Sequence, residues 1–283
     1  MKAAAIVTDT NSGISAAEAE LLGINLIPMP FSVNGVQHLE GQTCLPDEFF
    51  RALAANAEVS TSQPSPGEII RLWERLLQDH EAVLHFPMSS GLSGSCQTAK
   101  ALAAEYPGRV FVVDNKRISV TLAQSVLDAQ KLLAEGMPVR EIHRVLEQEG
   151  LNASIYIAVN TLTYLKKSGR VTAAGAAMAA VLNLKPVLQI QGERLDAFRK
   201  ARGMAQAKQI MLSAMRDDLN DRFHGEEVAL FAAYSGETAD GEHWLEEVQT
   251  AFPDRKVILG ALPISICCHV GAGTLAIACS KRL

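Results

Sequence analysis

Aromatic residues are scarce in this chain: 2 Trp, 4 Tyr and 9 Phe among 283 residues, 5% of the total. The hydrophobic share is still 48%, so the apolar content is mostly aliphatic and alanine. No apolar run reaches about eighteen residues, which excludes a transmembrane helix. The segment from Met1 to Val7 meets Asp9 too early for the apolar region of a signal peptide and reads as a first buried strand. An excess of positive charge is also missing, with 26 Lys and Arg against 31 Asp and Glu and a net charge of -5. That balance speaks against a general nucleic-acid binder and against integral or anionic membrane association. The five cysteines (Cys44, Cys96, Cys267, Cys268, Cys279) are odd in number and contain no C-x-x-C, so a reducing cytoplasm is expected and a disulfide framework is not. Nothing resembles H-x-x-x-H, H-E-x-x-H or a P-loop, and neither a metal nor a cofactor is expected.

What is present alternates short aliphatic runs with helical patterns. Strands are expected at Ala4 to Val7, Ala82 to Phe86 and Val110 to Val113, with Asn25 to Val33 extended. Helices are expected from the capping box Ser15-Ala16-Ala17-Glu18, from Pro46, from Ser65-Pro66-Gly67-Glu68, from Gly94, and over Thr121 to Leu133 and Val139 to Glu149. Strands separated by helices imply βαβ units and a parallel sheet. The second half is less regular. Strands are expected at Ile155 to Val159, Pro186 to Ile190, Val228 to Ala233, Val257 to Leu259 and Leu275 to Cys279. Between them fall helices near Tyr164, over Thr172 to Leu182, Met204 to Arg222 and Glu242 to Ala251. The fold class is α/β, a domain over residues 1–150 followed by a second over 151–283, with the boundary where a helical pattern stops at Gly150.

Four polar clusters stand at expected element junctions, where open α/β sheets bind ligands. Thr8-Asp9-Thr10-Asn11-Ser12-Gly13 reads as a turn rich in side-chain-to-backbone bonds. In Thr61-Ser62-Gln63-Pro64-Ser65-Pro66 the last two residues start a helix, which leaves Thr61 and Ser62 without a structural reason. Met88 to Ser95 holds four hydroxyls and two glycines ahead of a helix. An anion-binding turn and a plain helix cap fit that pattern equally well, and Gly91-Leu92-Ser93-Gly94 lacks the spacing of a nucleophile elbow. In Leu165-Lys166-Lys167-Ser168-Gly169-Arg170, Gly169 suits a helix C-cap and the lysines its dipole, while Arg170 lies past the cap. Arg199 to Gly203 reads as a basic surface turn, and His269 as a histidine beside a flexible Gly271-Ala272-Gly273 turn.

In this order, these residues resemble the DegV family. The matching stretches are Thr61 to Ser65, Met88 to Ser95, Val112-Val113-Asp114, Leu162 to Val171, Leu184-Lys185-Pro186-Val187-Leu188 and His269 to Gly273. The resemblance implies an N-terminal parallel-sheet domain, a C-terminal mixed-sheet domain, and a long-chain fatty acid between them. It further implies that the protein is not itself an enzyme. It would present the acid's carboxylate to a separate ATP-binding fatty-acid kinase subunit that makes acyl phosphate, an intermediate of phospholipid metabolism. The implied site residues are Thr61, Ser62, Ser93, Gly94, Arg170, Arg202 and His269. The alternative is a serine hydrolase of acyl esters using Ser93 and His269, and a third class is a phosphate- or sugar-binding regulator. For a lipid tunnel, the small-residue stretch Thr172 to Leu182 suits one wall.

Overall fold

Period-two and period-3.6 segments alternate along the chain because each buries one face, and the two halves solve that burial with different sheets. The computed structural model describes residues 2–177 and 184–283. The N-terminal half builds a fully parallel sheet from β1 (Lys2–Asp9), β2 (Ile24–Ile27), β6 (His80–Phe86) and β7 (Val110–Val112), in the order β2-β1-β6-β7. The C-terminal half builds a six-stranded mixed sheet from β8 (Ala153–Ala158), β9 (Lys185–Ile190), β10 (Asp196–Ala201), β11 (Val228–Tyr234), β12 (Val257–Ala261) and β13 (Leu275–Lys281), in the order β10-β9-β8-β13-β11-β12. Only β11 and β12 pair in parallel there.

Helix α5 (Val120–Ala134) stands between the sheets and packs on β1 on one side and on β11 and β13 on the other. Nine of its fifteen residues are buried, which a helix covered on two sides requires. The capping box opening α1 (Ala16–Leu22) forms as expected, with Ser15 Oγ accepting from the Glu18 amide and Glu18 from the Ser15 amide. The second one does not: Ser65 precedes α3 (Pro66–Leu76) but makes no side-chain cap bond.

Three elements differ from the sequence expectation. The extended stretch from Asn25 divides at its prolines into β2 and β3 (Pro30–Val33), and β3 enters a small antiparallel sheet, β4-β3-β5, with β4 (Val36–Leu39) and β5 (Val59–Thr61). Asn34 and Gly35, at φ 50° and 81°, form the two-residue turn between β3 and β4 that right-handed strand twist favours. The basic stretch at Arg199-Lys200 is not a turn but part of β10, an edge strand whose charges face water. Lastly, Ile264–Val270 is a helix, α11, where no element was expected, and His269 sits in its last turn, beside the turn at 271–273. Of the expected helix from Thr172, α8 (Ala173–Ala177) is present, and 178–183 lie outside the described residues.

The junction between the halves is held by Arg117, 4% exposed. Its guanidinium donates to Gly150 O (3.1 Å), Glu149 O (2.9 Å) and Ser280 Oγ (2.8 Å). Burial lowers its pKa to about 10, so it stays charged at neutral pH. Removing the side chain strands buried acceptors, so Arg117→Ala should lower the unfolding free energy by about 3 kcal/mol. A shift of the urea midpoint measures it. Arg144→Ala, which removes only exposed contacts with Glu141 and Gln148, should leave the midpoint in place.

Candidate functional site

Alternation along the central strands of the mixed sheet gives its two faces different side-chain sizes. On β13, Leu275, Ile277 and Cys279 join the cluster on the outer face, while Ala276 and Ala278 face inward. On β8 the inward pair is Ile155 and Ile157, and on β11 Ala233 also faces inward. The small residues leave a cavity of about 280 Å³ between this face and the carboxyl ends of β1, β6 and β7. Met88, Leu92, Ile118 and Val120 complete its wall from the first half, and Leu165, Ile266 and Val270 from the second. No residue of the described part of the expected small-residue wall, 172–177, lines it.

One end of the cavity is polar. Thr61 ends edge strand β5, and Ser62 and Gln63 follow it. Ser93 and Gly94 stand before α4 (Ser95–Ala103), Arg170 follows the left-handed C-cap Gly169 of α7 (Thr163–Ser168), and His269 projects from α11. Six of the seven residues expected from sequence therefore line one cavity. Arg202 is not among the described lining residues. It lies on the exposed turn after edge strand β10, its backbone N–H donating to Gln206 Oε1 at 2.5 Å.

Thr61 Oγ1 and His269 Nε2 are 2.9 Å apart, a contact across 208 residues that joins the small sheet to α11. Burial, assisted by the Arg170 guanidinium, lowers the His269 pKa to about 4, so the ring is neutral at pH 7. A neutral ring has one N–H. When Nε2 carries it and donates to Thr61 Oγ1, the Thr61 hydroxyl proton is available to another acceptor. Ser93 Oγ accepts from the Ser95 amide at 3.1 Å, which likewise leaves its proton available. Arg170 is exposed and, among the described lining residues, is the one charged side chain; its Nη1 donates to Ser168 O at 2.5 Å. The end thus presents hydroxyl donors and one cation, with no carboxylate among them, which suits an anion.

Behind this end, two buried acids tie the walls together. Asp9 accepts from the Met88 amide (2.9 Å) and the Asn11 amide (3.1 Å), bridging the loops after β1 and β6 where the sheet's connections diverge. Burial raises its pKa to about 7. Glu40, just beyond β4, accepts from Ser265 Oγ (2.7 Å), the Ser265 amide (3.0 Å) and Thr10 Oγ1 (2.5 Å). Gly91 is held against the backbone of Glu193, where a Cβ would come within 2.0 Å of the carbonyl oxygen. The Ser93 loop therefore requires glycine at that point.

Sequence reasoning missed Asn11, Ser119 and Ser265, all of which line the cavity. Asn11 lay within a polar turn that had a sufficient local explanation. Ser265 belongs to a helix whose apolar, β-branched start gave no helical signal.

A family model described as "Uncharacterised protein, DegV family" matches residues 3–282. The chain belongs to the DegV family. A DegV domain-containing protein from Deinococcus radiodurans is 32% identical over 234 residues, covering 82% of this chain and 83% of its own. Among solved structures, a DegV family protein from Thermus thermophilus, described by its fatty acid binding, superposes with a TM-score of 0.90 at 30% identity over 99% of both chains. DegV from Bacillus subtilis, described as a fatty acid binding protein, gives 0.88 at 23% identity over the whole of both chains, and a stearic acid-binding protein from Eubacterium ventriosum gives 0.89 at 21% over 98% of both. These last two share the fold. The DegV architecture here is the α/β one expected, with an N-terminal parallel and a C-terminal mixed sheet. No helix among the described residues is long and apolar enough to cross a membrane, and no described cluster of His, Cys, Asp and Glu forms a metal site.

The depressed pKa of His269 yields a direct check. Nuclear magnetic resonance should show the ring neutral down to about pH 4, against the ordinary 6.5. The unfolded chain takes this proton more readily, so the His269 contribution to stability is lost as pH falls from 6.5 and levels off below about 4. Asp9 acts in the opposite sense, its contribution being full below 3.8 and lost as pH rises through about 7. The site-specific titration is thus the clean measurement.

Proposed function

We infer that this DegV family chain binds a long-chain fatty acid in the cavity, carboxylate toward Thr61, Ser62, Ser93, Gly94, Arg170 and His269. The observation carrying this reading is a cavity with aliphatic walls and one polar end that holds no acid among the described lining residues. The fatty acid binding described for the Thermus thermophilus relative, at 30% identity, supports it. The halves that hold the ligand are residues 1–150 and 151–283.

Magnitudes divide the labour. A buried methylene contributes about 0.8 kcal/mol, so about fourteen give roughly 11 kcal/mol before association costs. The tail therefore supplies affinity and the head-group donors supply orientation. Hydroxyls and a solvent-facing Arg170 hold the carboxylate without locking it into a buried ion pair, the arrangement a group awaiting transfer needs. Handed to a separate ATP-binding kinase subunit in the cytoplasm, a carboxylate oxygen would attack the γ-phosphorus as the bond to ADP breaks, giving acyl phosphate. The protein's role is then to carry the acid, with no catalytic residue, cofactor or nucleic acid of its own.

The ester-hydrolase alternative has less support. His269 Nε2 is engaged by Thr61, not Ser93, and its Nδ1 has no hydrogen-bond partner where a triad would put a carboxylate.

Protein purified from cells and denatured should release a long-chain fatty acid detectable by mass spectrometry. Ala278→Leu should fill the cavity, come out empty, and gain about 0.5–2 kcal/mol of stability. Empty wild-type protein that also binds neither palmitate nor oleate would overturn the reading. In a reconstituted kinase assay, Thr61→Val with Ser93→Ala should reduce acyl phosphate formation at least about tenfold; undiminished formation would remove both hydroxyls from the mechanism.

A further inference from the structure

Two cavity residues take no part in the head-group end. Asn11, 2% exposed, meets Ser265 Oγ at 2.9 Å through one end of its side-chain amide, and the other end has no partner among the described residues. Ser119, 5% exposed, has an unpartnered Oγ. Their backbones are joined, the Ser119 amide donating to Asn11 O at 2.9 Å, and both side chains line the cavity. Buried polar atoms are ordinarily paired, so two open ones on neighbouring residues in one wall call for a ligand group.

Ser119 is placed unusually for a serine. It stands at the N-cap of α5, where the hydroxyl normally accepts from a first-turn amide. Here it makes no such bond; Thr121 Oγ1 donates to Ile118 O instead. Its backbone adopts φ 55° and ψ -138°, a conformation L-residues rarely take and one that clusters at ligand sites.

The chemistry of the vacant partners is specific. Ser265 Oγ gives its one proton to Glu40, so the Asn11 end facing it is the donating NH2 and the open end is the carbonyl oxygen, which only accepts, whereas Ser119 Oγ donates or accepts. A hydroxyl donates to the first and accepts from the second. An anion is disfavoured, because the open carbonyl oxygen repels it and the Glu40 carboxylate, holding Ser265 Oγ, lies directly behind this wall. Ser265, which holds Asn11, precedes His269 by four residues of α11, about 6 Å along its axis. The pair is therefore displaced from the carboxylate end, along the path of a chain.

We propose that Asn11 and Ser119 form a subsite for a hydroxyl group borne on the acyl chain, so that the cavity selects hydroxylated over unsubstituted long-chain acids. This rests on the fatty-acid reading above.

Calorimetric titration of the full chain with hexadecanoic acid and a positional series of its monohydroxy derivatives tests both separately. One hydroxyl position should bind at least about tenfold tighter than the parent acid, and that ratio should fall to near unity in Ser119→Ala and Ser119→Gly, the latter free to adopt the same backbone angles. The subsite is overturned if the parent acid binds but no hydroxylated acid is preferred, as when a water serves these atoms. It is equally overturned if the preference survives in both variants. Failure of every acid to bind removes the fatty-acid reading itself, and the subsite with it.

Discussion

A polar atom enclosed by aliphatic walls must find a partner or cost about 1–3 kcal/mol, and this requirement organises everything around the cavity. Asp9 joins the loops after β1 and β6, Glu40 joins the small sheet to the start of α11, and the Thr61–His269 contact joins the same sheet to the end of that helix. The Glu40 and Thr61 bonds cross from the first half to the second, so the polar end is assembled only when both halves are in place. Without them the small three-stranded sheet would have few reasons to sit over the mouth. The same pairing that satisfies buried atoms also fixes the spacing of the donors facing the ligand.

The space itself comes from side-chain size. Ala233, Ala276 and Ala278 on the inner face, beside the larger Tyr234, Leu275 and Ile277 on the outer face, keep the sheet packed on one side and hollow on the other. An aliphatic, aromatic-poor composition is what such a wall needs, because rings would fill it. Affinity for a long apolar ligand then requires no special machinery beyond that hollow.

Much of this was legible in the sequence, and the exceptions have physical causes. Thr61, Ser62 and Arg170 stood out because each lacked a local structural use, whereas Ser93 was marked by the family resemblance. The parallel sheet followed from strands spaced by helices. β10 was hidden because an edge strand tolerates Arg199 and Lys200, which mimic a surface turn. The helix α11 was hidden because its residues are apolar on nearly every side, so no period could be read; six of its seven residues are buried. Asn34-Gly35 was a readable hairpin signal, obscured by the prolines on its N-terminal side. Arg202 lies away from the described cavity lining for a different reason: a motif position fixes a residue's place along the chain, while the edge position of β10 decides where its turn projects.

Arg117 has a consequence for the order in which the protein is made. Its acceptors come from residues just after α6 (Val139–Gln148) and from Ser280 in β13. A ribosome delivers the first half well before that strand emerges. Until then the nascent parallel sheet carries a guanidinium whose final partner has not been synthesised, and the apolar face of α5 awaits the strands that cover it. The first half is therefore born with its inner surface open, a stage at which a chaperone has more to cover than in the finished molecule.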